Sequence, residues 1–310
     1  MGGSQCFLAT LLVYLSINSI HALESENMLG GEVAPPCVYK YQASIMLNGK
    51  QICGGAIIDK SHVVTAAHCL FEEDGSISGP KLTVMAGINN LHQLQVHSAV
   101  KSNISKIYTP SAYEVYQPGA DIAVLRLTTP LHLGENACLD KIQLPKGDDM
   151  YVDKIATVSG YGLVSHNNQR VQDALEKSDL VSDPQLHFLR TRVIANNECR
   201  LKYLLYKKNY MEEVPLIRIN DSFICVEAVK SPNDPPRGTC AGDSGGPVIV
   251  DGNVLVGIVG FGPLNCDEYF LPGAHARVSK YLTFIEKALL DHDDCSTRMT
   301  TTEGIVVCMA

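Results

Sequence analysis

The stretch that most constrains this chain lies at residues 238–247 and reads Gly-Thr-Cys-Ala-Gly-Asp-Ser-Gly-Gly-Pro. Ser244 sits among glycines, so a substrate can approach it closely without meeting a side chain. Asp243 directly precedes the serine, and Cys240 lies four residues before it, where a disulfide would restrain the loop. A glycine-flanked serine is a weak signal by itself, and its meaning depends on what the rest of the chain supplies.

Two upstream blocks supply the groups that such a serine needs. They read Thr-Ala-Ala-His-Cys at 65–69 and Asp-Ile-Ala-Val-Leu at 121–125. A serine hydroxyl is a poor nucleophile until a base takes its proton, and His68 is the candidate base because imidazole changes charge near neutral pH. Asp121 would orient His68 and stabilise its protonated form. A lone histidine or acid beside a strand has an ordinary structural explanation, but the three together predict a catalytic triad.

These three blocks, in the order His, Asp, Ser, resemble the signature motifs of the chymotrypsin-like serine proteases. The resemblance extends from about Met28 to Leu290. It implies an all-β fold of two six-stranded antiparallel Greek-key β-barrels with a C-terminal α-helix. It also implies a secreted serine endopeptidase that works through an acyl-enzyme. The backbone N–H groups of Gly242 and Ser244 would form the oxyanion hole, worth about 3 kcal/mol per donor.

The hydrophobic pattern supports that fold class independently of the motifs. Short apolar segments such as 41–47 and 254–259 are separated by turn signals such as Asn48-Gly49. Many short strands without alternating helices indicate barrels or sandwiches. One late stretch is helical in period, with its apolar residues on one face: Tyr281, Phe284, Ile285, Ala288 and Leu289. Two polar regions, 163–185 and 201–221, are predicted to be inserted surface loops.

Two alternatives to a protease are a lipase or esterase and a homologue without catalytic activity. Residues 242–246 also fit the Gly-x-Ser-x-Gly elbow of α/β-hydrolases, but that fold needs a helix after the serine and a later acid and histidine. Here Pro247 and a predicted hairpin follow, so the lipase or esterase interpretation fails. The second alternative is a catalytically silent homologue that acts as a binding or cofactor protein. Only the unusual Met28-Leu29 start of the matching region favours it.

The first residues predict targeting and activation segments. The apolar run at 7–20 is too short to span a bilayer and predicts a signal peptide cleaved after Ala22. A short propeptide would occupy 23–27, the protease domain 28–290 with a barrel boundary near 140–155, and a C-terminal tail 291–310. Met28-Leu29-Gly30-Gly31 resembles the start of an activated family member, whose freed amine pairs with the acid before the nucleophile. Carried over, the Met28 amine would pair with Asp243, although Asn27 stands where the family usually has Arg or Lys.

Composition and cysteine usage limit the compartment and the partners. Of 310 residues, 45% are hydrophobic, which excludes global disorder, and a net charge of −8 without a basic run argues against nucleic acid. Eleven cysteines indicate an oxidising compartment, and removing Cys6 with the signal leaves an even number. The resemblance implies the disulfides Cys53–Cys69, Cys199–Cys225 and Cys240–Cys266. Among the remaining four, Cys37–Cys138 and Cys295–Cys308 are guesses that sequence cannot settle.

The resemblance also predicts the substrate pocket. Gly238 would form its floor and Gly262 and Gly273 its walls, so an uncharged slot should favour a large apolar side chain. By the same argument, Gly238→Asp should shift the preference toward Arg and Lys. His275 falls near the rear wall, where it could add polarity.

The remaining predictions concern modification and partners. Asn103 and Asn220 begin glycosylation sequons. Partners would be protein or peptide substrates and protein protease inhibitors, with no nucleic acid and no membrane, and the enzyme would be a monomer. No cofactor is implied. No paired Cys-x-x-Cys or His-x-x-x-His ligands are present, so no metal site is predicted.

Overall fold

The computed structural model describes residues 28–290 with internal gaps, together with two strands of the tail at 297–300 and 306–309. The gaps are 73–75, 78–81, 93–97, 114–119, 136, 165–180, 211–217, 230–233, 235 and 264–265. The predicted signal peptide and propeptide therefore lie outside the described residues, as does most of the predicted inserted loop at 163–185.

A short strand, β1 (Glu32–Val33), precedes the first barrel along the chain but pairs with a strand of the second barrel. The first barrel contains six antiparallel strands: β2 (Gln42–Leu47), β3 (Lys50–Ile57), β4 (His62–Thr65), β5 (Leu82–Ala86), β6 (Val100–Thr109) and β7 (Ala123–Leu127). Their order is β6-β5-β2-β3-β4-β7, and pairing of β6 with β7 closes the barrel. Asn48 and Gly49 both have positive φ, as the tight turn between β2 and β3 requires.

The second barrel also has six strands: β8 (Ile155–Gly160), β11 (His187–Ile194), β12 (Phe223–Ala228), β13 (Pro247–Val250), β14 (Val254–Phe261) and β15 (Gly273–Arg277). Pairing of β11 with β8 closes it, and β1 adds to β11. A small hairpin of β9 (Leu163–Val164) and β10 (Val181–Ser182) lies between β8 and β11 along the chain. The prediction of two closed six-stranded antiparallel barrels is confirmed.

Two α-helices complete the described core. The predicted C-terminal helix is present as α2 (Leu282–Leu289), preceded by a 3-10 turn at Val278–Tyr281, and it buries Ile285 and Ala288. The other helix, α1 (Asn196–Tyr210), occupies part of the region predicted to be a surface loop. That prediction was wrong because the lysines and leucines of this stretch are good helix formers, and Glu198 in the first turn favours a helix start.

The tail adds to the first barrel. Strand β16 (Thr297–Thr300) pairs with β17 (Val306–Met309), and β17 pairs in parallel with residues 106–109 of β6. β7 pairs along one edge of β6, and β5 pairs along the other edge as far as residue 103. β17 therefore continues the edge on which β5 ends. Among the described residues, no helix is long and apolar enough to cross a membrane.

Candidate active site

Strand pairing brings His68 and Asp121 together. His68 lies in a 3-10 turn, Ala67–Cys69, directly after β4, while Asp121 lies two residues before β7, and the two strands pair through Thr65 and Ala123. His68 Nδ1 is 2.7 Å from Asp121 Oδ2, and the His68 backbone N–H donates to Oδ1 at 2.9 Å. One carboxylate therefore orients both the ring and its backbone.

The electrostatics of this pair suit a base. Burial acts to lower the pKa of His68, but the hydrogen bond and the charge of Asp121 act more strongly, so the pKa lies above its ordinary value. The Asp121 side chain is 13% exposed and that of His68 is 38% exposed, so the ring remains open to a substrate. With Nδ1–H donating to Asp121, the other ring nitrogen is left to accept a proton.

Ser244 lies in the loop before β13, against β3 of the first barrel. The Gly54 N–H donates to the Ser244 carbonyl at 2.7 Å, and the Thr65 hydroxyl donates to the Gly54 carbonyl at 2.8 Å. The two barrels thus meet at these loops. Within the described part of the chain, the Ser244 hydroxyl makes no hydrogen bond to His68; such bonds are often long before substrate binds.

The loop around Gly242 presents free backbone donors. Gly242 has φ +97°, which glycine adopts without strain, and its carbonyl accepts a hydrogen bond from Gln51 Nε2 at 2.8 Å. The N–H groups of Gly242 and Ser244 have no acceptor among the residues that the structure describes. Gln51 restrains this loop from the first barrel, and no motif in the sequence indicated it.

Asp243 is fully buried behind the nucleophile. Its carboxylate accepts the N–H groups of Gly162 at 2.8 Å and Cys240 at 2.9 Å. Burial raises its pKa to about 7, against the opposing effect of those two hydrogen bonds. Met28 is also fully buried, and its terminal methyl group approaches Gly160, which Asp243 contacts too. The Met28 side chain therefore lies close to that of Asp243, while Asn27 falls outside the described residues and the pairing of a freed Met28 amine with Asp243 stays a prediction.

The three predicted pocket glycines lie around Thr239. A Cβ on Gly262 would be 3.8 Å from Gly273 Cα and 4.0 Å from the Thr239 hydroxyl. A Cβ on Gly238 would be 2.7 Å from Glu268 Cγ and would also meet the backbone carbonyl of Cys266. An aspartate at position 238 would therefore have to displace the Cys266 carbonyl oxygen, 2.4 Å from the Cβ position, as well as the Glu268 side chain, and the predicted shift toward Arg and Lys in Gly238→Asp stays a prediction.

His275 lies close to Gly273, where a Cβ would be 2.7 Å from the His275 Cε1 atom, and its predicted place at the rear wall of a substrate pocket stays a prediction. It is fully buried, and its Nδ1 accepts the Gly260 N–H at 3.3 Å. Burial lowers its pKa to about 3, so the ring is neutral. Glu268 was missed because it belongs to no motif; its position two residues after Cys266 was the one available signal.

The structure forms the disulfides Cys53–Cys69, Cys199–Cys225, Cys240–Cys266 and Cys37–Cys138. Cys308 is disulfide-bonded, but Cys295 lies outside the described residues, so their pairing stays a prediction. Among described residues, one close group of metal-ligand types occurs, Cys53, His68 and Cys69, and its two sulfurs are joined to each other. Both sequon asparagines, Asn103 and Asn220, are exposed.

The chain is similar to proteins of known family and structure. A family model described as Trypsin matches residues 28–285, which end before the tail strands. Brachyurin of Leptuca pugilator is 27% identical over 259 residues, covering 84% of this chain and 97% of that protein. A solved structure of neuropsin, titled a serine protease expressed in the limbic system of mouse brain, matches with a TM-score of 0.64. It is 24% identical over 84% of this chain and 99% of its own, which supports the fold.

Proposed function

Because the chain belongs to the trypsin family of serine endopeptidases, we propose that it hydrolyses peptide bonds through Ser244, His68 and Asp121. The observation that carries the assignment of these residues is the double hydrogen bond from His68 to Asp121, at 2.7 and 2.9 Å, beside the loop of Ser244. A histidine held in this way accepts a proton at the ring nitrogen that faces away from the carboxylate.

The chain's own groups suffice for both halves of the reaction. The Ser244 hydroxyl gives its proton to His68 and attacks the scissile carbonyl, and the new oxyanion accepts hydrogen bonds from the N–H groups of Gly242 and Ser244. His68 then donates its proton to the leaving amine, which leaves an ester on Ser244. A water molecule repeats the sequence, with His68 again taking the proton, and releases the acid.

Activation and secretion form part of the same proposal. A signal peptide at 1–22 would direct secretion, which accords with the four disulfides that join pairs of described cysteines, and removal of 23–27 would free the Met28 amine. The amine would then pair with Asp243, whose carboxylate is buried without a cation among the described residues. Glycosylation of Asn103 and Asn220 remains a prediction for the secreted form.

Large side chains suit the predicted pocket because Gly262 leaves one wall open: the nearest atoms to a Cβ there would be Gly273 Cα at 3.8 Å and the Thr239 hydroxyl at 4.0 Å. We therefore propose that the pocket accepts large apolar side chains, as in chymotrypsin-like enzymes. The catalytically silent alternative is not favoured, since the histidine, aspartate and serine are all present and only the Met28-Leu29 start supports it.

The test is hydrolysis and active-site labelling of the chain beginning at Met28. We expect cleavage of peptides after large side chains, and labelling by a fluorophosphonate with one phosphorus per molecule. Ser244→Ala should lose both. Ser279→Ala is a matched control, because that serine lies in the 3-10 turn before α2, where its hydroxyl donates to Asp148 Oδ1 at 2.9 Å, and its loss should change neither. Absence of both hydrolysis and labelling in the processed wild-type protein would favour the silent homologue.

A further inference from the structure

Strand β3 of the first barrel contacts the nucleophile loop of the second barrel at two positions. The Gln51 side chain donates from Nε2 to the Gly242 carbonyl at 2.8 Å. The Gly54 N–H donates to the Ser244 carbonyl at 2.7 Å. Because the two donors are three residues apart on the same strand, β3 supports the loop on both sides of the residue between Gly242 and Ser244.

The pairing of β3 is irregular next to Gln51. Met46 pairs with Gln51 and Ile45 pairs with Cys53, so Ile52 is an extra residue without a partner on β2. Extra residues of this kind change the direction of neighbouring side chains and are frequent beside active sites. The Gln51 side chain therefore leaves β3 at a bulge, on the side of the bulge away from the Cys53 disulfide.

The contact with Gln51 fixes one peptide unit of the loop at both of its polar groups. The carbonyl of that unit, on Gly242, accepts from Gln51, and its N–H, on Asp243, donates to the Cys240 carbonyl at 3.0 Å. Since a peptide unit is planar, these two bonds together leave it little freedom to rotate. Gly242 has φ +97° and no side chain, so its own conformational freedom would otherwise be large.

The two predicted oxyanion donors differ in how their own peptide units are restrained. The unit that carries the Ser244 N–H is restrained at its carbonyl, because the Asp243 carbonyl accepts the Gly246 N–H at 2.9 Å. The unit that carries the Gly242 N–H lacks such a bond, since the Ala241 carbonyl has no donor in the part of the chain that the structure describes. The direction of the Gly242 N–H therefore depends on the next peptide unit, which the glutamine holds.

We propose that Gln51 is a positioning residue for the oxyanion hole. It acts on the Gly242 N–H through the Gly242 carbonyl and keeps that donor directed at the substrate oxygen on which negative charge develops. Donors that are already in place lower the barrier most, because no free energy is spent on turning them during the reaction. The inference rests on the proposed function and adds to it a residue from outside the three motifs.

The first test replaces the amide of Gln51 with little change in side-chain length. Gln51→Glu has no donor when ionised, and Gln51→Met has neither a donor nor a charge. Loss of a whole oxyanion donor costs about 10²–10³ in kcat, so loosening one should lower kcat about tenfold in both variants, with little change in KM. Gln143→Met is the matched control, because Gln143 is exposed and should leave kcat and KM unchanged.

A second measurement separates positioning from a general loss of structure. The Ser244 oxygen adds to the carbonyl carbon of a peptide aldehyde, and the former aldehyde oxygen then occupies the oxyanion position. The corresponding peptide alcohol binds without that addition. Gln51→Met should weaken binding of the aldehyde about tenfold, as it lowers kcat, and should leave binding of the alcohol unchanged.

Hydrogen exchange in Ser244→Ala tests the contact without catalysis. In that background, Gln51→Met should speed exchange of the Asp243 N–H about tenfold, because the carbonyl of the same peptide unit loses its partner. Gln143→Met should not change it. Unchanged exchange, unchanged kcat, or equal losses of aldehyde and alcohol binding in Gln51→Met would overturn the proposal. An inactive wild type whose Asp243 exchange responds to Gln51→Met would count against the proposed function and not against this contact.

Discussion

Two carboxylates at opposite ends of the active site, Asp121 and Glu268, lie in contrasting environments. Asp121 accepts two hydrogen bonds from His68, and its charge has a partner within 2.7 Å. Glu268 is fully buried with one oxygen unpaired and other acids nearby. The first arrangement stabilises a positive charge that forms on His68 during the reaction, and the second raises the pKa of Glu268, so that its carboxyl group keeps its proton to higher pH. An acid's role thus depends on its partner more than on its burial.

The largest expected effect comes from changing the paired acid. Asp121→Asn should lower kcat about 10⁴-fold with little change in KM, because an amide neither fixes the correct tautomer of His68 nor stabilises its cation. Steady-state assays on a peptide that the wild type cleaves efficiently measure kcat and KM directly. Asp59→Asn is the matched control: Asp59 also bonds a histidine, His62, at 3.0 Å, yet lies outside the site. A loss of similar size in Asp59→Asn would refute the assignment.

The next largest effect concerns Asp243, the acid proposed to gain the Met28 amine as its partner on activation. Asp243→Asn should cost the processed enzyme about 3–5 kcal/mol of the stabilisation that orders the loop of Gly242, with a corresponding loss of kcat/KM. The uncleaved chain should be little affected, since its Asp243 has no cation among the described residues. Activity and N-terminal sequencing before and after removal of 1–27 check this. Full activity in a chain that begins at residue 23 would contradict the mechanism.

A smaller effect concerns how an unpaired acid, Glu268, and a paired acid, Glu227, contribute to the free energy of unfolding. The pKa of Glu268 is raised, so the folded chain keeps its proton after the unfolded chain has lost it, and stability falls as pH rises from about 4.5 to 7. Glu268→Gln should therefore be more stable than the wild type at pH 8, by at most about 3 kcal/mol, and similar to it at pH 4. Thermal unfolding at both pH values measures the difference.

Glu227 provides the opposite case and the control. Burial acts to raise its pKa, but hydrogen bonds and charges from Lys202 and Arg192 lower it overall. Its contribution to stability is present above pH 4.5 and is lost as pH falls through the lowered pKa. Glu227→Gln should hence lower the melting temperature at pH 8. If both substitutions shift stability in the same direction, the contrast between paired and unpaired acids is wrong.

The smallest effect tests how closely Glu268 is packed. Gly238→Ala would place a methyl group 2.4 Å from the Cys266 carbonyl oxygen and 2.7 Å from Glu268 Cγ, and should cost about 1–3 kcal/mol of stability. Gly147→Ala adds a methyl group where no atom lies within 4 Å and should be close to neutral. Chemical denaturation compares the two. Equal stabilities would show that the pocket end is looser than the distances indicate.

Sequence could predict the parts of this site that motifs and strand pairing specify. The blocks around His68, Asp121 and Ser244 are local, and β4–β7 pairing then places the first two within hydrogen-bond reach. Glu268 could not be predicted because its position depends on the path of the chain between Cys266 and β15. Gln51 was missed for a similar reason, since its contact with Gly242 joins residues 191 positions apart. Helix α1 was missed because its exposed leucines do not form an obvious buried face.

The parallel pairing of β17 with β6 has a consequence for the order in which the molecule forms. The two strands are separated by about 200 positions, and the later one ends one residue before the last. During synthesis, β6 is complete long before β17 exists, and contacts so distant in sequence form slowly. We therefore expect the first barrel to close with part of one edge open, and the tail to join it as a late step. A chain that stops before β16 would leave that edge permanently available to other strands.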